Sequence, residues 1–358
     1  GASTADAVII LIDARHGVIE QTRRHTFIAT LLGIRHIIVA INKMDLVDFD
    51  QKVFEKIKEE YQTLITSTLS DSTSKSKHEL HFIPISALHG DNVVDISKHT
   101  LWYKGNTVLE ILENMDVHPT INVDQHSPAD ASPISLGRFP VQRVIRPQSP
   151  EFPDFRGYAG RVEGGVFHPG DSVVIFPSGQ KTHIDKIYKY KNELTEAISS
   201  DSIVMTLVDD IDISRGNMIV QDSSQQPAHQ IHQAIHHPAQ QYLPQISNEL
   251  NVLVNWFSAT NLQIDRPYIL RHTTLETKAV VKSIECKIDI QTLTPIRADE
   301  DRGGINVDVN IGKNDIARIQ IKTAKPLYFD LFSENKVTGS ILLIDTYTNE
   351  TVAAGVVV

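Results

Sequence analysis

Asn42-Lys43-Met44-Asp45 is the stretch of this chain whose residue types and order could do defined chemistry. It follows an apolar run, His36 to Ile41, and precedes a helical pattern. That context places it at the carboxyl end of a strand, where open α/β sheets hold their ligands. A carboxylate on Asp45 can accept two hydrogen bonds from one edge of guanine, from N1–H and from the exocyclic amine. Adenine has an acceptor at N1 and no 2-amino group, and each polar group left unpaired there costs about 1–3 kcal/mol. The Asn42 amide can bond N7 and tie neighbouring loops together. The Lys43 stem can lie over the base plane with its ammonium toward the ribose, and Met44 is the variable position. Ser86-Ala87-Leu88 closes the next apolar run, forty-four residues after Asn42. There a small Ala87 lets its N–H approach the base oxygen O6, and Ser86 can bond the Asp45 carboxylate. The alternative is a helix N-cap at Asp45 and a structural Ser86.

These residues need a parallel sheet beneath them. Ala7 to Ile12 and His36 to Ile41 are apolar on both parities, which predicts strands covered by helices on both faces. Glu20 to Leu32 reads as a helix whose apolar face carries Ile28, Leu31 and Leu32, with Gly33 as its stop. Val53, Ile57, Tyr61 and Leu64 give Asp50 to Ile65 one helical stripe. Ser67 to Lys77 reads as a solvated loop. His81 to Ile85 is a third strand whose Pro84 suggests an edge position, and Thr107 to Asn114 is a short closing helix. Strand and helix alternate three times, as in a sheet with crossover helices. No G-x-x-x-x-G-K-[ST] phosphate loop occurs, and no Asp-x-x-Gly lies in the first 120 residues. A base clamp without a phosphate cradle, an unpaired first strand and the absence of an initiator Met together predict a phosphate-binding half upstream of Gly1.

From about Ser135 short alternating runs are punctuated by turn signals such as Pro169-Gly170-Asp171 and Pro177-Ser178-Gly179. Tyr158 to Val162, Ser172 to Phe176 and Ile203 to Leu207 predict one small antiparallel barrel. Leu250 to Phe257, Thr277 to Ile288, Gly304 to Ile311, Ile316 to Lys322 and Ser340 to Asp345 predict a second β unit. The His/Gln-rich stretch from Gln221 to Gln241 reads as the linker between them. The expected fold is therefore an α/β domain with a truncated parallel sheet, residues 1–128, followed by two antiparallel β-barrels, 129–225 and 226–358. A length of 358 residues is right for two to three domains.

The net charge is −10, from 34 Lys and Arg against 44 Asp and Glu, which argues against non-specific binding to nucleic acid or an anionic membrane. Every apolar run is too short to span a bilayer, and the single cysteine, Cys286, allows no internal disulfide and fits a reducing cytoplasm. Cys286 sits in a strand pattern and reads as a small core residue. His229, His232, His236 and His237 have spacings that suit zinc ligands on a helix, but Pro227 and Pro238 bracket them and a solvated linker is the favoured reading. Arg15, Arg23 and Arg24 could touch phosphates or a partner, or could be a solvated helix face. The acidic run Asp209, Asp210 and Asp212 reads as a turn flanking Arg215-Gly216 rather than a cation site, and Asp6 and Asp13 read as caps.

The run Asp13-Ala14-Arg15-His16-Gly17-Val18, then Gln21 to His25, Leu31 to Ile34 and Asn42 to Asp48, resembles the translational GTPase superfamily. Within it the chain is most similar to the GTPase-subunit family of bacterial sulfate adenylyltransferase. Ser86-Ala87-Leu88, Gly90-Asp91-Asn92-Val93, Trp102-Tyr103, Asp154 to Gly160, Asp212 to Gly216 and Val337-Thr338-Gly339 carry the same likeness. The resemblance implies a P-loop-type GTPase domain followed by barrels like elongation-factor domains 2 and 3. It implies GTP as ligand, with Mg²⁺ held by the N-terminal phosphate-binding segment. It also implies a smaller catalytic partner subunit that makes adenylyl sulfate and pyrophosphate from ATP and sulfate, driven by GTP hydrolysis. Catalytic residues are then expected upstream of Gly1 and on that partner. Only Asn42, Lys43, Met44 and Asp45, with Ser86, Ala87 and Leu88, carry over as the guanine site. A translation elongation factor of the Tu class, delivering aminoacyl-tRNA, is the competing function.

Overall fold

The computed structural model describes residues 5–70, 78–116, 136–147, 155–222, 243–292, 294–297 and 309–358. Three parallel strands, β1 (Ala7–Asp13), β2 (His36–Asn42) and β3 (Glu79–Pro84), form one sheet in the order β1-β2-β3. Their register pairs Asp13 with Asn42 and Ile41 with Pro84, so the carboxyl ends of all three lie level. Helices α1 (Glu20–Leu31) and α2 (Gln51–Ser70) belong to the core on one face, with Ile10, Ile12, Ile37, Val39, Ile41, Ile57, Tyr61 and Leu64 buried in it. A short helix, α3 (Val108–Glu113), covers Ile38, Ala40, Ile83 and Ile85 on the other face.

The prediction that β1 is buried on both faces is corrected. Ile10 and Ile12 are buried, but Ile9 is 45 % and Leu11 62 % exposed. The cause is topology: β1 has β2 as its one described neighbour, and the core against α3 is built from β2 and β3 without β1. The buried face of α1 also differs from the apolar stripe expected. Thr22, Thr26, Ala29 and Thr30 are buried, while Ile28 and Leu31 are half-buried. Hydroxyls can lie inside because they find partners. Thr26 Oγ1 donates to the Thr22 carbonyl at 2.8 Å and bonds the Tyr61 hydroxyl at 3.0 Å, and Thr30 Oγ1 donates to the Phe27 carbonyl at 2.9 Å. Helix α2 runs one turn beyond the predicted Ile65, so 67–70 are helical rather than loop, and 71–77 lie outside the described residues. Helix α3 is where the sequence placed it. Thr107 caps it with a reciprocal capping box, taking the Glu110 N–H on its hydroxyl while the Glu110 side chain takes the Thr107 N–H.

The rest of the described chain forms two closed antiparallel barrels of six strands each. Around the first run Arg138–Ile145, Gly157–Arg161, Ser202–Leu207, Gln180–Lys189, Ser172–Phe176 and Met218–Gln221. Alternating side chains such as Phe139, Tyr158, Ile175, Ile187 and Met205 fill its interior. The second closes through Gln245–Trp256, Thr351–Val357, Ser340–Asp345, Pro267–His272, Leu275–Ile288 and Ile316–Phe329. Trp256 and Tyr268, both in its core, meet edge to face, and Cys286, on the strand Leu275–Ile288, is a buried free thiol. Gly304 to Ile311 is not a strand over its described part, 309–311. Of the expected linker, Gln221 to Gln241, Gln221 is instead the last residue of a barrel strand, and 223–241, with the four histidines, lies outside the described residues, as do the expected domain limits near 128/129 and 225/226.

A buried ion pair joins the barrels. The Arg138 guanidinium donates to Asp330 from Nε at 3.1 Å and from Nη2 at 2.9 Å, with both side chains under a tenth exposed. Phe176 stacks on Tyr328 nearby, with ring centroids 5.1 Å apart.

Candidate functional site

Two loops at the carboxyl end of the sheet form the site. Asn42 is the last residue of β2, and the chain then turns sharply. Lys43 adopts left-handed backbone angles (φ 64°, ψ 34°), which a non-glycine residue takes at a cost of about 1–3 kcal/mol and which cluster at ligand-holding turns. That turn aims the following 3₁₀ turn, Met44–Val47, across the strand ends. Met44 is fully buried and its N–H donates to the Ile85 carbonyl at 3.2 Å. The variable position is thus an anchor, and Asp45 on the next residue faces the cleft.

Asn42 joins the two motifs directly. Its side-chain carbonyl accepts the Lys43 N–H at 2.8 Å and the Ala87 N–H at 3.0 Å. The amide ties the neighbouring loops, as its chemistry suggested. The Ala87 N–H, expected on a base oxygen, is committed to Asn42 here. Ser86 is fully buried; its Oγ accepts the His89 N–H at 3.4 Å instead of bonding Asp45. The Asp45 carboxylate faces the His89 imidazole at 4.0 Å. A cleft of about 300 Å³ opens between the loops, lined by Arg15, Asn42, Lys43, Asp45, Leu46 and Leu88. Leu46 and Leu88 expose much of their apolar surface on its rim. A carboxylate and an amide beside exposed leucine side chains suit a flat heteroaromatic ring.

Two residues read as a cap and a helix-face cation enter this site. Asp13, paired in register with Asn42, accepts from Arg15 Nε at 3.0 Å and Nη2 at 2.7 Å, and from the Lys43 ammonium at 2.8 Å. The Arg15 hydrogen bonds, with help from Lys43, hold the Asp13 carboxyl far below the usual carboxylate range against a partial desolvation. The Lys43 ammonium is therefore anchored to Asp13, so its stem is fixed along the cleft wall. The sequence placed Asp13 at the carboxyl end of a strand, but only the register shows that it lies level with Asn42. Arg24 does lie on a helix face, paired with Glu20 at 2.8 Å. The acidic run near 210 is accounted for by Arg156, which pairs with Asp210 and, at 3.3 Å, with Asp212, and by the Thr182 hydroxyl, which donates to Asp209 at 2.8 Å.

The loop carrying Ser86-Ala87-Leu88 is held by Asn92. This side chain is fully buried and donates to the Pro84 carbonyl at 2.7 Å and the Thr100 hydroxyl at 2.9 Å, while accepting the Ser97 N–H at 2.8 Å. Trp102 donates to the Phe49 carbonyl at 3.1 Å and packs on Phe54, bracing the loop after Asp45.

Comparison with known proteins adds to this geometry. The family described as the elongation factor Tu GTP binding domain matches residues 1–119, and the GTP-eEF1A C-terminal domain-like family matches 249–358. Proteins called sulfate adenylyltransferase subunit 1 from Teredinibacter turnerae and Bacteroides thetaiotaomicron are each 38 % identical to the whole of this chain, which covers 66 % and 65 % of their lengths. The bifunctional enzyme CysN/CysC of Mycobacterium tuberculosis is 39 % identical over the whole chain and 51 % of its own length. The chain thus spans just under two thirds of the first two relatives. A crystal structure of sup35 complexed with GDP shares the fold at a TM-score of 0.51 and 20 % identity, over 99 % of this chain and 78 % of that one.

Proposed function

The chain belongs to the translational GTPase superfamily, and from that premise we propose that its cleft holds the guanine of GTP. The Asp45 carboxylate accepts N1–H and the 2-amino group, Asn42 holds the two loops in register and offers its amide to N7, and the Lys43 stem covers one ring face. Ala87 and Leu88 close the other side, and Met44 and Ser86 anchor the two loops from within. The observation that carries this reading is the Asn42–Ala87 hydrogen bond, which joins both motifs around a cleft faced by Asp45. The residues present fit a guanine ring. Mg²⁺ would accompany the phosphates and neutralise their charge; no residue of this chain is assigned to it.

The subunit would hydrolyse GTP and couple it to formation of adenylyl sulfate and pyrophosphate from ATP and sulfate, on a smaller catalytic partner in the cytoplasm. The names of the relatives matched over the whole chain support this. The elongation-factor alternative retains only likeness at the level of domains. The domain limits 1–128, 129–225 and 226–358 belong to the same proposal. Full-length protein mixed with the smaller subunit should make adenylyl sulfate faster with GTP than with a non-hydrolysable analogue. Equal rates would remove the coupling, and tight GTP-dependent binding of aminoacyl-tRNA would favour the alternative.

A further inference from the structure

The opposite, amino-terminal end of the sheet carries a second cluster, independent of the nucleotide reading. His36 opens β2 and Glu79 opens β3, and the register pairs them directly. His81 lies two residues along β3, so its side chain leaves the same face as Glu79. One ligand atom from each of the three lies within 4.8 Å of the others.

The hydrogen bonds around His36 fix what its ring can offer. The ring is buried, 4 % exposed, and its Nε2 meets the Asp116 carbonyl at 3.3 Å, just after α3. A carbonyl only accepts, so Nε2 carries the hydrogen. In the neutral ring Nδ1 is then a lone-pair donor, and it faces Glu79 Oε2 at 3.4 Å. Arg35 occupies the other carboxylate oxygen, donating to Oε1 at 3.0 and 2.6 Å. In that tautomer two lone-pair atoms face each other, a geometry that a metal ion between them satisfies as a proton on Nδ1 would. A tetrahedral zinc ion with bonds near 2.0–2.1 Å sets its ligand atoms about 3.3–3.4 Å apart, which the His36–Glu79 pair already meets. His81 is half-buried and has to close by no more than about 1.5 Å to join. A backbone carbonyl orienting the far nitrogen of a ligating histidine is the usual outer-shell arrangement. Two imidazoles and a carboxylate suit zinc and its first-row neighbours better than hard cations, which prefer all-oxygen sets.

We propose that His36 Nδ1, Glu79 Oε2 and His81 bind a divalent transition-metal ion of the zinc class. Water takes the fourth position on the exposed side. The ion clamps the start of edge strand β3 to β2, and through His36 to the chain after α3.

The test uses the nucleotide-free protein with His229, His232, His236 and His237 replaced by Asn, to remove competing ligands. Zinc is titrated against a chromophoric chelator, and cobalt is substituted to read tetrahedral absorption. One equivalent of zinc is expected at micromolar protein, with a rise in the thermal midpoint. His81→Asn and Glu79→Gln, at partly exposed positions where folding is preserved, should each weaken binding at least tenfold and abolish the midpoint shift. No zinc bound by the linker-substituted protein, or unchanged affinity in both variants, overturns the proposal and leaves a proton as the bridge between His36 and Glu79.

Discussion

Replacing Asp330 with Ala removes one half of the ion pair between the barrels. The carboxylate accepts two hydrogen bonds from Arg138 and one from the Thr338 hydroxyl at 2.6 Å. Its loss leaves a guanidinium that is 6 % exposed beside the Leu136 carbonyl, to which it donates at 3.2 Å, without a countercharge from Asp330. Breaking one side of such a pair costs about 3–5 kcal/mol, because the remaining charge stays desolvated. That is roughly a hundredfold to a few thousandfold in the folding equilibrium. With a urea slope of about 2–3 kcal/mol/M, the midpoint falls by ~1–2.5 M. Trp256, buried in the second barrel, reports the transition in a Trp102→Phe background. The double variant Arg138→Met/Asp330→Leu removes both charges and should recover most of the loss, less about 1 kcal/mol for the orphaned Thr338 hydroxyl. An Asp330→Ala cost below about 1 kcal/mol, or a double variant as unstable as the single, would refute the reasoning.

Glu163 lies beside this joint, its carbonyl taking the Asn335 side-chain N–H at 3.3 Å. Burial pushes its carboxyl up to about 7, with Arg161 opposing. Because the folded value lies above the unfolded one, the folded state keeps its proton longer, and stability falls as pH rises from about 4.5 to 7. The penalty is complete above 7 and amounts to at most about 3 kcal/mol. Glu163→Gln should therefore stabilise the protein at pH 8 and leave it unchanged at pH 4; equal effects in denaturation at both pH values contradict this. Asp13→Asn releases Lys43 from its anchor. Lys43 and Arg15 are both well exposed, so the thermal midpoint should barely move while GTP affinity of the full-length protein falls roughly threefold to tenfold. Unchanged affinity by fluorescent-nucleotide competition contradicts the anchoring role.

What could be read from the sequence was whatever local pattern decides. Helix α3 was legible because Thr107 and Glu110 stand at capping-box spacing, and α2 because Ile57, Tyr61 and Leu64 recur at helical intervals. That Asn42–Asp45 and Ser86–Leu88 meet was legible because strand, turn and helix frame the first motif and a strand end carries the second. Strands Arg138–Ile145, Gln180–Lys189 and Pro267–His272 were not, since their mixed polar patterns make sense only once the barrels close, and Met218–Gln221 is too short an apolar run to stand out. The bare face of β1 was hidden for a similar reason: Ile9 and Leu11 look like core until the strand order is known. Tertiary pairing, not residue type, decided the site's remaining details. Nothing local marks Asp13 as the partner of Lys43, thirty residues away, or Asn92 as the hub of the loop after β3.

The central claim is that Asp45 reads the guanine edge. Asp45→Asn in the full-length protein exchanges a carboxylate for an amide, which loses the 2-amino contact of guanine and can donate to the 2-oxo group of xanthine. Competition between GTP and xanthosine triphosphate for a fluorescent nucleotide measures this directly. The account predicts that GTP affinity falls at least tenfold while xanthosine triphosphate becomes the tighter ligand; undiminished preference for GTP would contradict it.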